Sequence, residues 1–162
     1  MEEQLLAFLS HLEKKYRYSE NTVAAYRNDL GQFLEYVEGR AGSRLTDWAT
    51  VSEEVIASYL DFMKHKDQPY ASSTIARKVA AIKSFYNYLT AEGIVDENPT
   101  IDIDSPKVKK RLPQTLTFSE VERLLEAPAG GDTPKNLRDI TLLKVLYETG
   151  MRVTEVVSIQ LE

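Results

Sequence analysis

A chain of 162 residues, 43% of them hydrophobic, has room for one large or two small domains with a real core. It contains no cysteine, which excludes disulfides and thiolate metal sites, and its two histidines, His11 and His65, stand apart and make no metal pair. A net charge of −5 argues at first against a nucleic-acid partner; with no basic-then-apolar leader and no apolar run of membrane-spanning length, a soluble cytoplasmic protein is expected, without membrane contact or cofactor.

The apolar spacing predicts a first helix over 2–16, with Leu5, Leu6, Leu9, Leu12 and Tyr16 as its buried stripe. A second helix starts near Ser19, a good N-cap residue, carries Val23, Tyr26, Leu30, Phe33, Leu34 and Val37 on one face, and ends at Gly39. Residues 40–51 read as a loop from which Trp48 packs down onto the helices. Val51 and Ile56 flank Ser52 as a hydrophobic staple, and a third helix runs through Val55, Ile56, Tyr59, Leu60 and Met63. A fourth begins at Ser72 or Ser73, buries Ile75, Val79, Ile82, Tyr86 and Leu89, and ends at Gly93; Arg77, Lys78 and Lys83 are left for its other faces.

From Ile94 to Pro113 the period disappears and three prolines punctuate the chain, which reads as a linker of about 20 residues between domains. Thr117 and Glu120 then form a capping box, with Leu116 and Val121 as its staple and Leu124 and Leu125 continuing the core face. Beyond a Gly-Gly-Asp-Thr-Pro loop, Ile140, Leu143, Val145, Leu146 and Tyr147 define a helix closed by Gly150. Val153, Val156, Val157, Ile159 and Leu161 continue as a second run. No strand pattern and no fixed-period repeat occurs, so the expected class is all-α, with domains at 1–93 and 114–162 and the linker at 94–113.

Charge is unevenly spread. Residues 63–90 hold five bases against the single acid Asp67, residues 91–104 hold five acids and no base, and 105–113 hold four bases and no acid. Two basic islands in an acidic molecule suit a protein that touches phosphates at chosen places while keeping nonspecific DNA binding weak. They equally suit two solvated basic stretches. At the Gly150 corner, Arg152 stands at the start of a helix with Glu155 three residues on. A planar guanidinium beside free helix amides fits a phosphate, and the glutamate is placed to hold it. On spacing alone, however, the pair reads first as an ordinary surface ion pair.

Those residues carry a resemblance. The stretch from Leu137 to Glu155 resembles the first catalytic block of tyrosine recombinases, the phage-integrase family, and most closely its bacterial Xer-type members. Ser19 to Leu30 resembles the family's opening DNA-binding helix, and Ala71 to Leu89 its last one. Asn98-Pro99, Ser105-Pro106-Lys107 and Arg111-Leu-Pro113 resemble its interdomain connection. The resemblance implies a four-helix, SAM-like core-binding bundle, a linker, and about three helices of a truncated catalytic domain.

It further implies a partner, double-stranded DNA, and Arg152 as one of two arginines that bind the scissile phosphate, supported by Glu155. In the family the second helix lies in the major groove, which makes Asn21, Thr22 and Arg27 DNA-contact candidates, although capping and solvation explain each singly. Ser72, Ser73 and Thr74, with Arg77, Lys78 and Lys83, form a hydroxyl-rich, basic helix start and flank suited to a groove. Lys107, Lys109, Lys110 and Arg111 suit a connection that passes beside phosphates as the domains clamp a duplex.

The family's reaction is metal-free and uses a lysine, a His-x-x-Arg pair and a tyrosine nucleophile. No His-x-x-Arg occurs here, and none of the nine tyrosines has the nucleophile's context. The chain is therefore expected to be a recombinase fragment that binds DNA and does not cut it, from a parent that self-associates as a tetramer on two duplexes. A noncatalytic helical DNA-binding regulator and a helical protein-interaction module are the competing readings.

Overall fold

The computed structural model describes residues 1–40, 47–108, 114–128, 131 and 133–160. Seven α-helices follow in order: α1 Glu2–Tyr16, α2 Glu20–Arg40, α3 Glu53–His65, α4 Ser72–Ala91, α5 Phe118–Glu126, α6 Pro134–Thr149 and α7 Val153–Val157, with a 3-10 turn at Trp48–Thr50. Among the described residues there is no strand. The chain divides into two compact units, Met1–Lys110 and Arg111–Glu162.

In the first unit, α1, α2 and α4 pack on one another and α3 closes against α2. The stripe of α1 is Leu5, Phe8, Leu9 and Leu12, not the expected set: Leu6 is 48% and Tyr16 53% exposed, while Phe8 is 2% exposed. Counting three and then four from Leu5 reaches Phe8 and Leu12, whereas Leu6 is one residue off that line. The helix closes at Arg17, a non-glycine residue in the left-handed region (φ 52), whose N–H bonds to the Glu13 carbonyl at 3.1 Å. A glycine would hold that conformation without the Cβ crowding that Arg17 carries.

Ser19 starts α2 as expected: its Oγ accepts from the Thr22 N–H at 3.3 Å. The helix runs to Arg40, past Gly39, so that glycine does not stop it. Trp48 is buried among Phe33, Phe85 and Tyr86, and its Nε1–H donates to the Met1 carbonyl at 2.9 Å. This one bond ties the chain's start to the turn before α3 while satisfying the indole's only donor. Val51 and Ile56 are both buried, on either side of the α3 N-cap Ser52.

The stretch expected to be linker from residue 94 onward is in part core. Val95 and Ile103 join the hydrophobic cluster of the bundle. Between them, the Asn98 side chain accepts from the Thr100 N–H at 2.9 Å and donates to Asn87 on α4 at 2.8 Å. Two apolar residues eight apart are too few to show a period, but they anchor a loop wherever side-chain amides satisfy its backbone.

The second unit is a helical hairpin with a final turn. The Thr117–Glu120 capping box forms, with the Glu120 carboxylate accepting from the Thr117 N–H at 2.7 Å. Thr133 caps α6, Pro134 occupies its first position, and Gly150 (φ 65) closes it with a bond to the Leu146 carbonyl at 3.0 Å. Its apolar residues pair along one seam only: Ile140, Leu143, Val145 and Leu146 are half-buried, and Tyr147 is 56% exposed. Of the run expected after the corner, Val156 alone is buried, while Val153, Val157 and Ile159 face solvent; Leu161 lies outside the described residues.

Candidate nucleic-acid interface

Helices α2 and α4 lie side by side, and an open cleft of about 390 Å³ runs between their outer faces. It is lined by Asn21, Thr22, Ala25, Tyr26 and Asp29 from α2 and by Arg77, Ala80 and Ala81 from α4. Three residues singled out from sequence, Asn21, Thr22 and Arg77, thus share one surface although they lie more than fifty positions apart. The small residues Ala25, Ala80 and Ala81 keep the floor of the cleft low.

Arg77 is 51% exposed, and its Nη1 donates to the Asp29 carboxylate. Asp29 itself is 2% exposed. Its other oxygen accepts from Lys78 Nζ at 3.0 Å. Lys78 is a correction: expected on an outer face, it is 2% exposed and points inward. Its ammonium also donates to Gln32 at 2.9 Å and sits 5.5 Å from the centre of the Tyr70 ring, whose hydroxyl donates to the same Gln32 oxygen at 3.2 Å. A lysine with three satisfied directions inside the bundle has nothing to offer a duplex.

The cue was present in the spacing. Lys78 lies three residues after Ile75 and four before Ile82, on the buried stripe, and Asp29 lies on the matching line of α2 between Tyr26 and Phe33. Opposite charges at two facing stripe positions signal a buried pair. Gln32 and Tyr70 are the neighbours of this pair that composition and periodicity did not reveal.

Outside the cleft lining, Arg27 on α2 and Ser72 and Ser73 on α4 are exposed, while Thr74 and Lys83 on α4 are half-buried. The N-cap of α4 is Ala71 and no side chain caps the helix, so its first-turn amides have no side-chain acceptor. Lys107 is exposed; Lys109, Lys110 and Arg111 lie outside the described residues. Among the described residues, no three His, Asp or Glu side chains converge as a metal site, and no helix is long and apolar enough to cross a membrane.

The corner of the second unit holds Arg152. Its side chain is 82% exposed. The Glu155 carboxylate binds it twice, accepting from the Arg152 N–H at 2.7 Å and from Nη1 at 3.0 Å. The backbone bond closes the start of α7; the side-chain bond fixes the direction of the guanidinium and leaves the rest of its fork open to solvent. Arg138 makes a similar pair with its neighbour Asp139 at 2.7 Å, so an exposed ion pair alone does not distinguish Arg152; its place beside the Gly150 turn does.

In the first unit, a hydrogen bond from the Ser52 side chain holds the Glu54 carboxyl below its ordinary 4.5. Burial pushes the Tyr59 and Tyr86 hydroxyls above the ordinary 10.0. In the second unit, hydrogen bonds from the Thr117 N–H and hydroxyl hold the Glu120 carboxyl below its ordinary 4.5.

Comparison with known proteins follows the same division. The family description "Phage integrase, N-terminal SAM-like domain" matches residues 5–93, and "Phage integrase family" matches residues 114–162. The chain is 48% identical over 160 residues to "Tyrosine recombinase XerC" of Roseiflexus castenholzii, covering 98% of this chain and 49% of that protein. It is 46% identical to a protein of the same name from Herpetosiphon aurantiacus, covering 98% of this chain and 50% of that one. With "Tyrosine recombinase XerD" of Halalkalibacterium halodurans it shares 41% identity, covering 93% of this chain and 49% of that protein. The chain spans about half the length of the curated relatives it matches.

Proposed function

The chain belongs to the phage integrase family, and from that premise we propose that it is the DNA-binding N-terminal part of a site-specific tyrosine recombinase of Xer type. The observation that carries this reading is the cleft on which α2 and α4 bring Asn21, Thr22 and Arg77 together. An α-helix fits the major groove of a duplex. Beside that helix, Arg77 with the uncapped, hydroxyl-rich start of α4 (Ser72 and Ser73) supplies donors to backbone phosphates. Arg27, Lys83, Lys107, Lys109, Lys110 and Arg111 are further candidates for phosphate contact. Asn21 and Thr22 are the residues within reach of base edges.

Arg152 is the second grip. Held by Glu155 and otherwise open to solvent, its guanidinium binds the non-bridging oxygens of the scissile phosphate and stabilises the charge that builds there. In the reaction of the whole recombinase, a tyrosine oxygen attacks the phosphorus, a 3′-phosphotyrosyl bond forms, and the 5′-oxygen leaves as a hydroxyl. A hydroxyl of the partner strand then attacks that phosphorus and releases the tyrosine. Four protomers on two duplexes carry out the exchange. The 162-residue chain by itself binds duplex DNA and does not cleave it, and it works in the cytoplasm, where chromosomal DNA is. Domains at 1–93 and 114–162, with the stretch between them passing beside the phosphates, are part of the same proposal.

Fluorescence anisotropy with a labelled duplex at two salt concentrations tests the reading. Binding that weakens steeply with salt is expected; salt-independent or absent binding overturns it in favour of a protein-interaction module. A nicked suicide duplex incubated with the chain is expected to give no covalent adduct.

A further inference from the structure

We propose that Asp29 is a positioning residue for DNA binding: from inside the bundle it aims the Arg77 guanidinium across the α2–α4 cleft at a backbone phosphate. This inference rests on the DNA-binding reading and assigns a part to a residue that never meets the nucleic acid.

One buried carboxylate faces two cations, Lys78 and Arg77. Lys78 is enclosed, and its bonds to Asp29 and Gln32 and its place over the Tyr70 ring account for its donors. That enclosure fixes the Asp29 carboxylate in one orientation, with one oxygen on Lys78 and the other turned outward to Arg77. Arg77 is the group of the three that reaches solvent, and it does so on the wall of the cleft. The three charged side chains together keep one net positive charge, and of them Arg77 is the exposed one.

A free arginine on a helix surface samples many rotamers and loses that freedom on binding. Arg77 is already held at one nitrogen, Nη1, while its side chain stays 51% exposed. A phosphate arriving at the cleft meets a guanidinium in place, and no charged partner has to be displaced, because the single bond to Asp29 and the bonds to phosphate use different donors. The buried pair therefore contributes preorganisation more than stability.

The test uses the full chain and a short fluorescein-labelled duplex of mixed sequence, with affinity measured over a range of salt. In Asp29→Asn, the amide oxygen still accepts from Lys78 while the amide N–H₂ faces Arg77 and repels it. Expected is a loss of about tenfold in affinity, equal to the loss in Arg77→Gln. The salt slope is expected to fall by about one phosphate in both variants, since one contact is lost. The double variant is expected to be no weaker than either single one, because the two residues act as a unit. Arg77→Lys, which keeps the charge without the fork, is expected to lie between.

If wild-type chain shows no salt-dependent binding, the DNA-binding reading falls. If wild-type binds and Arg77→Gln weakens it while Asp29→Asn stays within twofold, the positioning role is overturned. If the two losses multiply, Asp29 acts only through the fold, and the proposal fails as well. Thermal unfolding of each variant is measured alongside. Should Asp29→Asn fail to fold, the pair Asp29→Asn with Lys78→Met removes the stranded ammonium, and the same outcomes decide on that background.

Discussion

The two units of this chain solve opposite problems. The first closes a core around Trp48, Phe33, Phe85 and Met63, and even its trailing loop sends Val95 and Ile103 inward. The second makes well-formed helices and buries almost nothing: Val156 is its one buried hydrophobic residue among those described, while Phe118, Leu137 and Val157 are exposed by two-thirds or more. Its helices are defined by local devices, namely the Thr117–Glu120 box, the Thr133 cap with Pro134, and the Gly150 stop. Helix boundaries are thus written in short-range chemistry, whereas stability needs partners from distant parts of the chain.

The sharpest way to break that contrast is in the core of the first unit. Phe33→Ala is expected to cost about 3–5 kcal/mol in urea unfolding. Trp48 is the chain's single tryptophan, so its fluorescence reports this unit alone. Leu143→Ala, in the half-buried seam of α6, is expected to leave that fluorescence transition in place. If it shifts the transition as far as Phe33→Ala does, the two units do not unfold separately.

Removing one partner of the buried pair comes next. Lys78→Ala leaves the Asp29 carboxylate with Arg77 alone and is expected to destabilise the first unit by about 3 kcal/mol, with Lys78→Met plus Asp29→Asn recovering most of it. A smaller effect belongs to the second unit. Gly150→Ala places a Cβ on a residue at φ 65, where no neighbouring atom lies within 4 Å. The expected cost is the conformational strain alone, about 1 kcal/mol, read as lost helical circular dichroism.

The buried tyrosines and the hydrogen-bonded Glu120 should show pH dependences of opposite direction. Tyr59 and Tyr86 have folded values raised by burial, so they stabilise the first unit fully below the ordinary 10.0 and lose that contribution as pH rises above it. Glu120 is depressed below 4.5, so its contribution to α5 is present above that value and fades as pH falls through the lower folded one. Alkaline titration followed by Trp48 fluorescence and acid titration of Glu120→Gln against wild type by circular dichroism check the two arms. The smallest effect is expected for Arg152→Ala, below about 0.5 kcal/mol, because an exposed pair adds little to stability.

Much of the fold was legible because helices advertise themselves locally. Ser19, Ser72, Thr117, Gly150 and the apolar period from Val23 to Val37 marked real elements, and the stretch from Leu137 to Glu155 marked the Arg152 corner. The errors fell where neighbours decide. Gly39 offered a stop that the helix ignored. Leu6 was apolar enough for the stripe, but the line through Leu5 and Phe8 was the one α2 and α4 covered, and Tyr16, on that line, is exposed as the last residue of α1. Val95 and Ile103 lay in a stretch with no period to reveal them.

The sequence by itself determined the all-helical class, the helix ends set by caps, and an arginine and glutamate spaced to bind each other. Only the tertiary structure decided which side chains share a surface and which are enclosed. Asn21 and Thr22 meet Arg77 because α2 and α4 pack side by side, and Lys78 is lost to the interior because Asp29 waits opposite. The physical reason is that a caps-and-period pattern is fixed by residues three or four apart, whereas charge pairing depends on groups nearly fifty residues away: the period places Lys78 and not Arg77 on the buried stripe, but only packing brings Asp29 opposite it.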